Sequence, residues 1–354
     1  MSERPSPCPR PVGVIANPVS GRDVRRLAAR AASQTPESKR GQIQRAAVGA
    51  AAAGASRMLI VGDVFRVSQG AVEALRLPHF EFERLDVGRP TTTASDTVRA
   101  TEAMREAGCG ALVVLGGDGT NRAVARAWPD APLVSISTGT NNVFPQLVEA
   151  TTAGAAAGLV ASGRVPLESV GRRAKRVEVR FPDGDGDFAL VDVALLEGDH
   201  PGNLLPFDLS LLRDLVLARA EPAAVGMSPI GGLLHPSGFD DDHGVRVRCT
   251  APGSGGTPLL VPASQGLYRT AHVRDARTLP LGEEVSIRGP GVLAFDGDRE
   301  RVLAAGEEVR ARVVRSGPCI IDVAATLDFA ARHRLYENRP WHEDRSDTAD
   351  LGCC

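Results

Sequence analysis

The chain has 354 residues, 43% hydrophobic and 24% charged, and its Gly (38) and Pro (25) stay below the share of low-complexity chains, so about two folded domains are expected. A formal net charge of −2 and 4% aromatics supply neither a positive field nor a stacking surface for nucleic acid. No apolar run approaches the ~20 residues of a membrane-spanning helix.

Residues 1–10 are polar and Pro-rich and lack the apolar core of a secretory signal, so a flexible start of a cytoplasmic protein is expected. Val12–Ala16 reads as a short buried strand, followed by the turn Asn17-Pro18-Val19-Ser20-Gly21. Residues 23–32 and 42–53 show helical spacing. Residues 58–61 form a second buried strand ending at Gly62-Asp63, and 80–85 alternate like a third. The spacing predicts a helix over 95–107 with Ser95 as N-cap and Asp96 in its first turn. Residues 111–115 are the clearest strand, and Gly116-Gly117-Asp118-Gly119-Thr120 ends it. A helix over 121–127 follows, then a strand over 133–136 that ends at Ser137-Thr138-Gly139-Thr140-Asn141-Asn142.

Alternating strands and helices predict a parallel sheet covered on both faces, and the continuous apolar strands agree with that. The Gly/Ser/Thr/Asn turns all follow strands, at the edge where open α/β sheets bind ligands. Beyond about 160 the period becomes two, over 176–180, 189–195, 245–249, 285–287 and 309–313, with a hairpin turn at Asp183-Gly184-Asp185-Gly186. The expected architecture is an α/β Rossmann-like domain over 11–155 and an all-β sandwich over 160–322. A helix over 323–336 is expected to dock back on the first domain, and 337–354 to be flexible.

Several chemistries are excluded or set aside. Lys39 and Lys175 are the only lysines, and neither sits in a Walker-A context. GxGxxG, HExxH and GxSxG are absent. The six cysteines form no CxxC pair, so no metal site is supported, and Cys353-Cys354 read as a reducible tail. Asp240-Asp241-Asp242-His243 reads as a solvated loop ahead of a cation site. Asp63 reads equally as a cleft residue or a turn carboxylate.

The segment LVVLGGDGTNRAVA carries the most information. Glycines 116 and 117 permit positive φ and let backbone N–H groups approach a phosphate. Thr120 is expected to cap the next helix, whose N-terminus favours an anion. Asp118 then lies beside that anion, where a carboxylate serves to accept a hydroxyl proton, to hold Mg²⁺ through water or to bind a ribose hydroxyl. With lysine so scarce, a direct cation on the phosphates is expected to be arginine. Arg22 and Arg122 are the candidates, and a solvated helix arginine is the plainer reading of each.

IANPVSGRDVRRL, LGGDGTNR, STGTNN and LAFDGDRE, in this order, resemble the superfamily of NAD kinases, diacylglycerol kinases and phosphofructokinases. Within it they are most similar to the ATP-NAD kinase-like proteins of the acetoin catabolism X type. The resemblance implies a nucleotide between a Rossmann-like domain and a β-sandwich, with ATP and Mg²⁺ as cofactors, a small-molecule acceptor such as NAD, and a homo-oligomer. It implies that Asn17, Ser20 and Gly21 line the ATP, that Gly116, Gly117, Gly119, Thr120 and Asn121 bind phosphate, and that Thr138, Gly139, Thr140, Asn141 and Asn142 form a second nucleotide turn. In NAD kinases the base is the GGDGT aspartate, here Asp118. In the lipid kinases it is an acid of the distal DG(E/D) motif, here Asp296-Gly297-Asp298. The Asn-Glu pair with which NAD kinases grip NAD has no counterpart in matching context, and STGTNN is nearer the lipid-kinase GTGN pattern.

Overall fold

Five short strands build the first sheet: β1 (Val12–Ala16), β2 (Arg57–Val61), β3 (Glu81–Leu85), β4 (Ala111–Gly116) and β5 (Pro132–Ser137), all parallel in the order β3-β2-β1-β4-β5, with the charged EFERL of β3 at the edge. β4 is buried along its whole length, as a central strand covered on both faces must be. The structure is a computed structural model and describes residues 9–21, 34–73, 75–139 and 141–337. The helix expected over 23–32, Arg22, Thr140 and the terminal cysteines lie outside the described residues.

The covering helices are α1 (Pro36–Ala52), α2 (Val67–Glu73), α3 (Ala94–Glu106), α4 (Asp118–Ala127) and α5 (Ala150–Ala161). α1 starts upstream of the expected 42–53 because Thr35 caps it, accepting from Ser38 N–H, with Pro36 in the first turn. α3 is capped at Thr93, not Ser95; the Asp96 carboxylate instead accepts from the N–H groups of Thr91 and Thr92. α5 has no counterpart in the sequence reading. ATTAGAAAGLVA is apolar all round and lacks the stripe that marks an amphipathic helix. It packs backbone against backbone on α1, where a Cβ on Gly154 would collide with the Ala46 carbonyl and one on Gly49 with that of Thr151.

Past α5 the chain forms α6 (Leu167–Val170) and β6 (Gly171–Arg173), then turns antiparallel. The remaining elements are β7 (Arg176–Arg180), β8 (Gly186–Ala189), β9 (Asp192–Leu196), β10 (Leu212–Leu217), α7 (Ser228–Gly232), β11 (His243–Cys249), β12 (Thr257–Ser264), β13 (Leu267–Pro280), β14 (Glu284–Arg288), β15 (Gly291–Phe295), β16 (Asp298–Leu303), β17 (Glu308–Val314), β18 (Cys319–Ile321) and α8 (Val323–Arg332). A seven-stranded sheet, β12-β13-β11-β10-β9-β15-β16, faces a four-stranded sheet, β14-β17-β7-β8. Alternating inward residues such as Val177, Val313, Val193 and Phe295 fill the space between them. The segment expected as one strand over 189–195 is two strands in different sheets. The break falls at Leu190-Val191, whose N–H groups leave the ladder for the Asp296 carboxylate.

β18 returns to pair in parallel with β5, and β6 joins it antiparallel, which extends the first sheet to seven strands. Val323 and Ala330 of α8 enter the same hydrophobic core as α5. The expected boundary at residue 155 falls inside α5. Among the described residues no helix is long and apolar enough to cross a membrane.

Candidate active site

The loops after β1, β4 and β5 are fastened to one another by their own side chains. Asn17 Oδ1 accepts from the N–H groups of Val19 and Ser20, and its Nδ2 donates to Thr120 Oγ1 at 2.9 Å. Ser20 Oγ and Thr138 Oγ1 are 3.0 Å apart, and Thr138 N–H donates to the Gly116 carbonyl. The Asn142 carboxamide fills the space that a Cβ on Gly117 or Gly139 would need, at 2.9 and 2.5 Å. Gly21, at φ 69°, sits against the Thr138 carbonyl. Small residues recur in these loops because three turns meet at van der Waals distance.

Lys39 supports this arrangement from below. Its fully buried ammonium donates to the carbonyls of Asn17 (2.8 Å), Pro18 (3.2 Å) and Ser20 (2.7 Å). Sequence reasoning weighed lysine only in a Walker-type loop and missed this role. The available signal was that Lys39 is one of only two lysines in an arginine-rich chain.

α4 begins at Asp118 with Gly117 as its cap, so Thr120 is not the cap that the sequence suggested. Thr120 instead takes the Asn17 amide on its hydroxyl and packs over Gly116. Asn121 is fully buried and donates back to the Gly117 carbonyl. Gly116, Asn121 and Thr138 thus form the back of the loops. Asn17, Ser20, Gly21, Gly117, Gly119, Thr120, Gly139, Asn141 and Asn142 line a cleft of about 440 Å³ between the two halves of the chain. A further wall, unforeseen from sequence, comes from Pro90, Thr92, Thr93, Asp96, Thr97 and Arg99, and the sandwich contributes Leu204, Asp296 and Asp298. Asp63 fills both of its expected roles: it caps α2, accepting from Val67 and Ser68 N–H, and lines the cleft.

One other candidate is corrected. Arg122 neither reaches the cleft nor is solvated: it is 3% exposed and paired with Asp187 and Glu300. The acids at 240–242 lie in an exposed loop, as the sequence suggested, where Asp240 pairs with Arg172 and Asp242 with Arg315.

Asp118 and Asp296 meet at the floor of the cleft. Asp118 Oδ1 accepts from Phe144 N–H at 2.8 Å and Val143 N–H at 3.2 Å, whereas Oδ2 has only a 3.3 Å contact with Val143 N–H. Burial pushes its pKa up to about 7, the nearby Asp296 charge adds to this, and the two N–H donors and Arg219 oppose it. Asp296 sits at φ 50°, a strained conformation for a residue with a Cβ. Its Oδ2 accepts from Leu190 N–H at 2.7 Å, and its Oδ1 from Val191 at 2.8 Å and Asp192 at 3.2 Å. Burial raises it to about 6, against the Arg122 charge and those three donors. Asp298 lies on the other side of the bend, its Oδ2 3.1 Å from where a Cβ on Gly119 would stand. An acid poised near neutrality with one oxygen lightly engaged is equipped to take a proton from a hydroxyl.

Residues 12–165 match the model of the ATP-NAD kinase N-terminal domain, and residues 175–316 that of the acetoin catabolism protein X C-terminal domain. Acetoin catabolism protein X of Cupriavidus necator is 35% identical over 342 residues, covering 93% of this chain and 94% of that protein. The chain belongs to the acetoin catabolism protein X family. Among solved structures it shares the fold of yeast NADH kinase complexed with NADH, with a TM-score of 0.51 at 13% identity over 96% of this chain and 94% of the other. A putative diacylglycerol kinase from Bacillus anthracis str. Sterne stands further off, at a TM-score of 0.45 and 12% identity over 88% of this chain and 98% of the other. In this member of the acetoin catabolism protein X family each matched part supplies one acid, Asp118 from the first and Asp296 from the second.

Proposed function

We propose that this chain is an ATP-dependent phosphotransferase acting on an alcohol, with the 2′-hydroxyl of NAD(H) as acceptor. The carrying observation is the buried acid pair at the floor of a strand-end cleft built from three interlocked small-residue loops. Phosphoryl transfer asks mainly for positioning and charge neutralisation, which rigid loops and helix N-termini supply. The match of residues 12–165 to the ATP-NAD kinase domain supports the kinase class and makes NAD the first acceptor to test.

Asp118 takes the acceptor proton in this reading. Its Oδ2 has the room, and a pKa near 7 leaves part of the population ionised at neutral pH. Asp296, with both oxygens held by short N–H bonds, stabilises the arrangement. The cleft walls carry Asp63, Asp96, Asp118, Asp296 and Asp298 against a single described basic side chain, Arg99. Such a wall repels bare triphosphate and suits a nucleotide that arrives with a cation. Mg²⁺ in such sites is held mainly by phosphates and water, with one or two carboxylates. Asp298, over Gly119, is the residue that would hold it. When bound, Mg²⁺ neutralises charge on the transferring phosphoryl group.

The test is incubation with ATP, Mg²⁺ and NAD, followed by mass-spectrometric detection of NADP. NADP formation above a no-enzyme control is expected; its absence rules out NAD as acceptor. A second reading keeps the reaction and makes the acceptor a lipid or small polyol. Leu204 and Leu205, 58% and 55% exposed, stand at the acid pair and favour an acceptor with an apolar arm. Phosphorylation of such an alcohol without NADP formation would select it.

A further inference from the structure

Arg122 lies one helical turn after Asp118 on α4, on the same side of the helix. Its Nε donates to the Phe188 carbonyl at 2.6 Å, its Nη1 to Glu300 Oε1 at 2.6 Å, and its Nη2 to Asp187 Oδ2 at 2.9 Å and Glu300 Oε2 at 3.1 Å. Nη1 also reaches the Phe295 carbonyl at 3.5 Å, and the guanidinium lies 4.7 Å from the Phe295 ring centre. The groups it grips flank the other acid. Phe295 directly precedes Asp296, and Phe188 stands two residues before Leu190, the first of the three N–H donors to the Asp296 carboxylate. One side chain therefore spans from the helix of Asp118 to both strands that carry Asp296 and its cradle. It touches no loop of the cleft.

We infer that Arg122 is a positioning residue that fixes the separation of Asp118 and Asp296. The kinetic consequence rests on the phosphotransferase reading; the placement itself does not. A general tie between the two halves does not require Arg122, because Arg126 also pairs with Asp187 at 2.9 Å and reaches Glu300 at 3.5 Å. What Arg122 adds is a forked donor set directed at the backbone on either side of the second acid, a geometry that an ammonium does not reproduce.

The full chain is compared with Arg122→Met and Arg122→Lys by ATP calorimetry, steady-state kinetics and crystal structures. For Arg122→Met, ATP affinity is expected within about twofold of wild type and kcat about 10- to 100-fold lower, the scale of a small misplacement of reacting groups. The separation of the Asp118 and Asp296 carboxylates is expected to change by about 1 Å in Arg122→Met. Arg122→Lys is expected to restore neither that separation nor kcat, since charge returns without the fork. A folded Arg122→Met with an unmoved acid pair, or with wild-type kcat in an active chain, overturns the inference. If the wild-type chain phosphorylates no acceptor, the phosphotransferase reading fails by itself, and the crystal structures decide the placement: a moved acid pair supports it and an unmoved pair overturns it. Should Arg122→Met not fold, Glu300→Gln loosens the same fork from a one-third exposed position. A lowered kcat at unchanged ATP affinity then supports the inference, and wild-type kcat overturns it.

Discussion

Asp118 and Asp296 are two acids at equal depth that are held differently. Asp118 opens a helix, and donors from a separate loop engage mainly one of its oxygens. Asp296 sits in a left-handed bend between β15 and β16, and three consecutive N–H groups occupy both oxygens. Burial raises the pKa of both, so burial alone does not assign their roles. The number of N–H donors engaged, two on Asp118 and three on Asp296, supports Asp118 as the proton acceptor of the proposed reaction.

The sharpest way to break that comparison is to neutralise each acid in turn. Asp118→Asn is expected to lower kcat by about 10²- to 10⁴-fold, and Asp296→Asn by about tenfold with NAD as acceptor, both read by steady-state NADP formation. A dead Asp296 variant beside an active Asp118 variant would reverse the assignment.

Next in size is the support under the first loop. Lys39→Met leaves three buried carbonyls without their shared donor, and an unfolding loss of about 2–4 kcal/mol is expected in denaturant titrations. The KM for ATP should rise about tenfold, since the loop carrying Asn17 and Ser20 loses its backing.

The last effect is a slope. Both folded pKa values lie above the unfolded aspartate value, so the folded state retains protons that the unfolded state releases. Their contribution to stability is fully present below about pH 4 and is lost as pH rises through about 6 to 7. Each group adds a downward slope of at most about 1.4 kcal/mol per pH unit in that window. Melting scans from pH 4 to 8 should show a shallower decline in Asp118→Asn than in wild type. An identical decline would mean that Asp118 is not the group held protonated.

What was legible in the sequence follows from how local each cause is. Runs such as ALVVLG, fully buried and ending in glycine, announce central strands and the ligand edge because the signal lies within a few residues. α5 was not legible because apolar residues on every side leave no period. The break at Leu190-Val191 was not legible because its cause is a carboxylate 106 residues away from Leu190. The wall at 90–99 had a cue in Thr91-Thr92-Thr93 ahead of a helix, but its place beside the cleft depends on how β3 and α3 pack. Arg122 shows the same limit: its neighbours in sequence suggested a phosphate, and its neighbours in space are Asp187 and Glu300.

Both lysines are at most 1% exposed. Amine-directed reagents that label most native proteins at many points should therefore find, in the described part of this chain, no ready target while it stays folded. Acylation at Lys39 would then record the moments when the first strand-end turn lifts off its helix, and a nucleotide that slows that labelling would reveal its own binding without any assay of turnover.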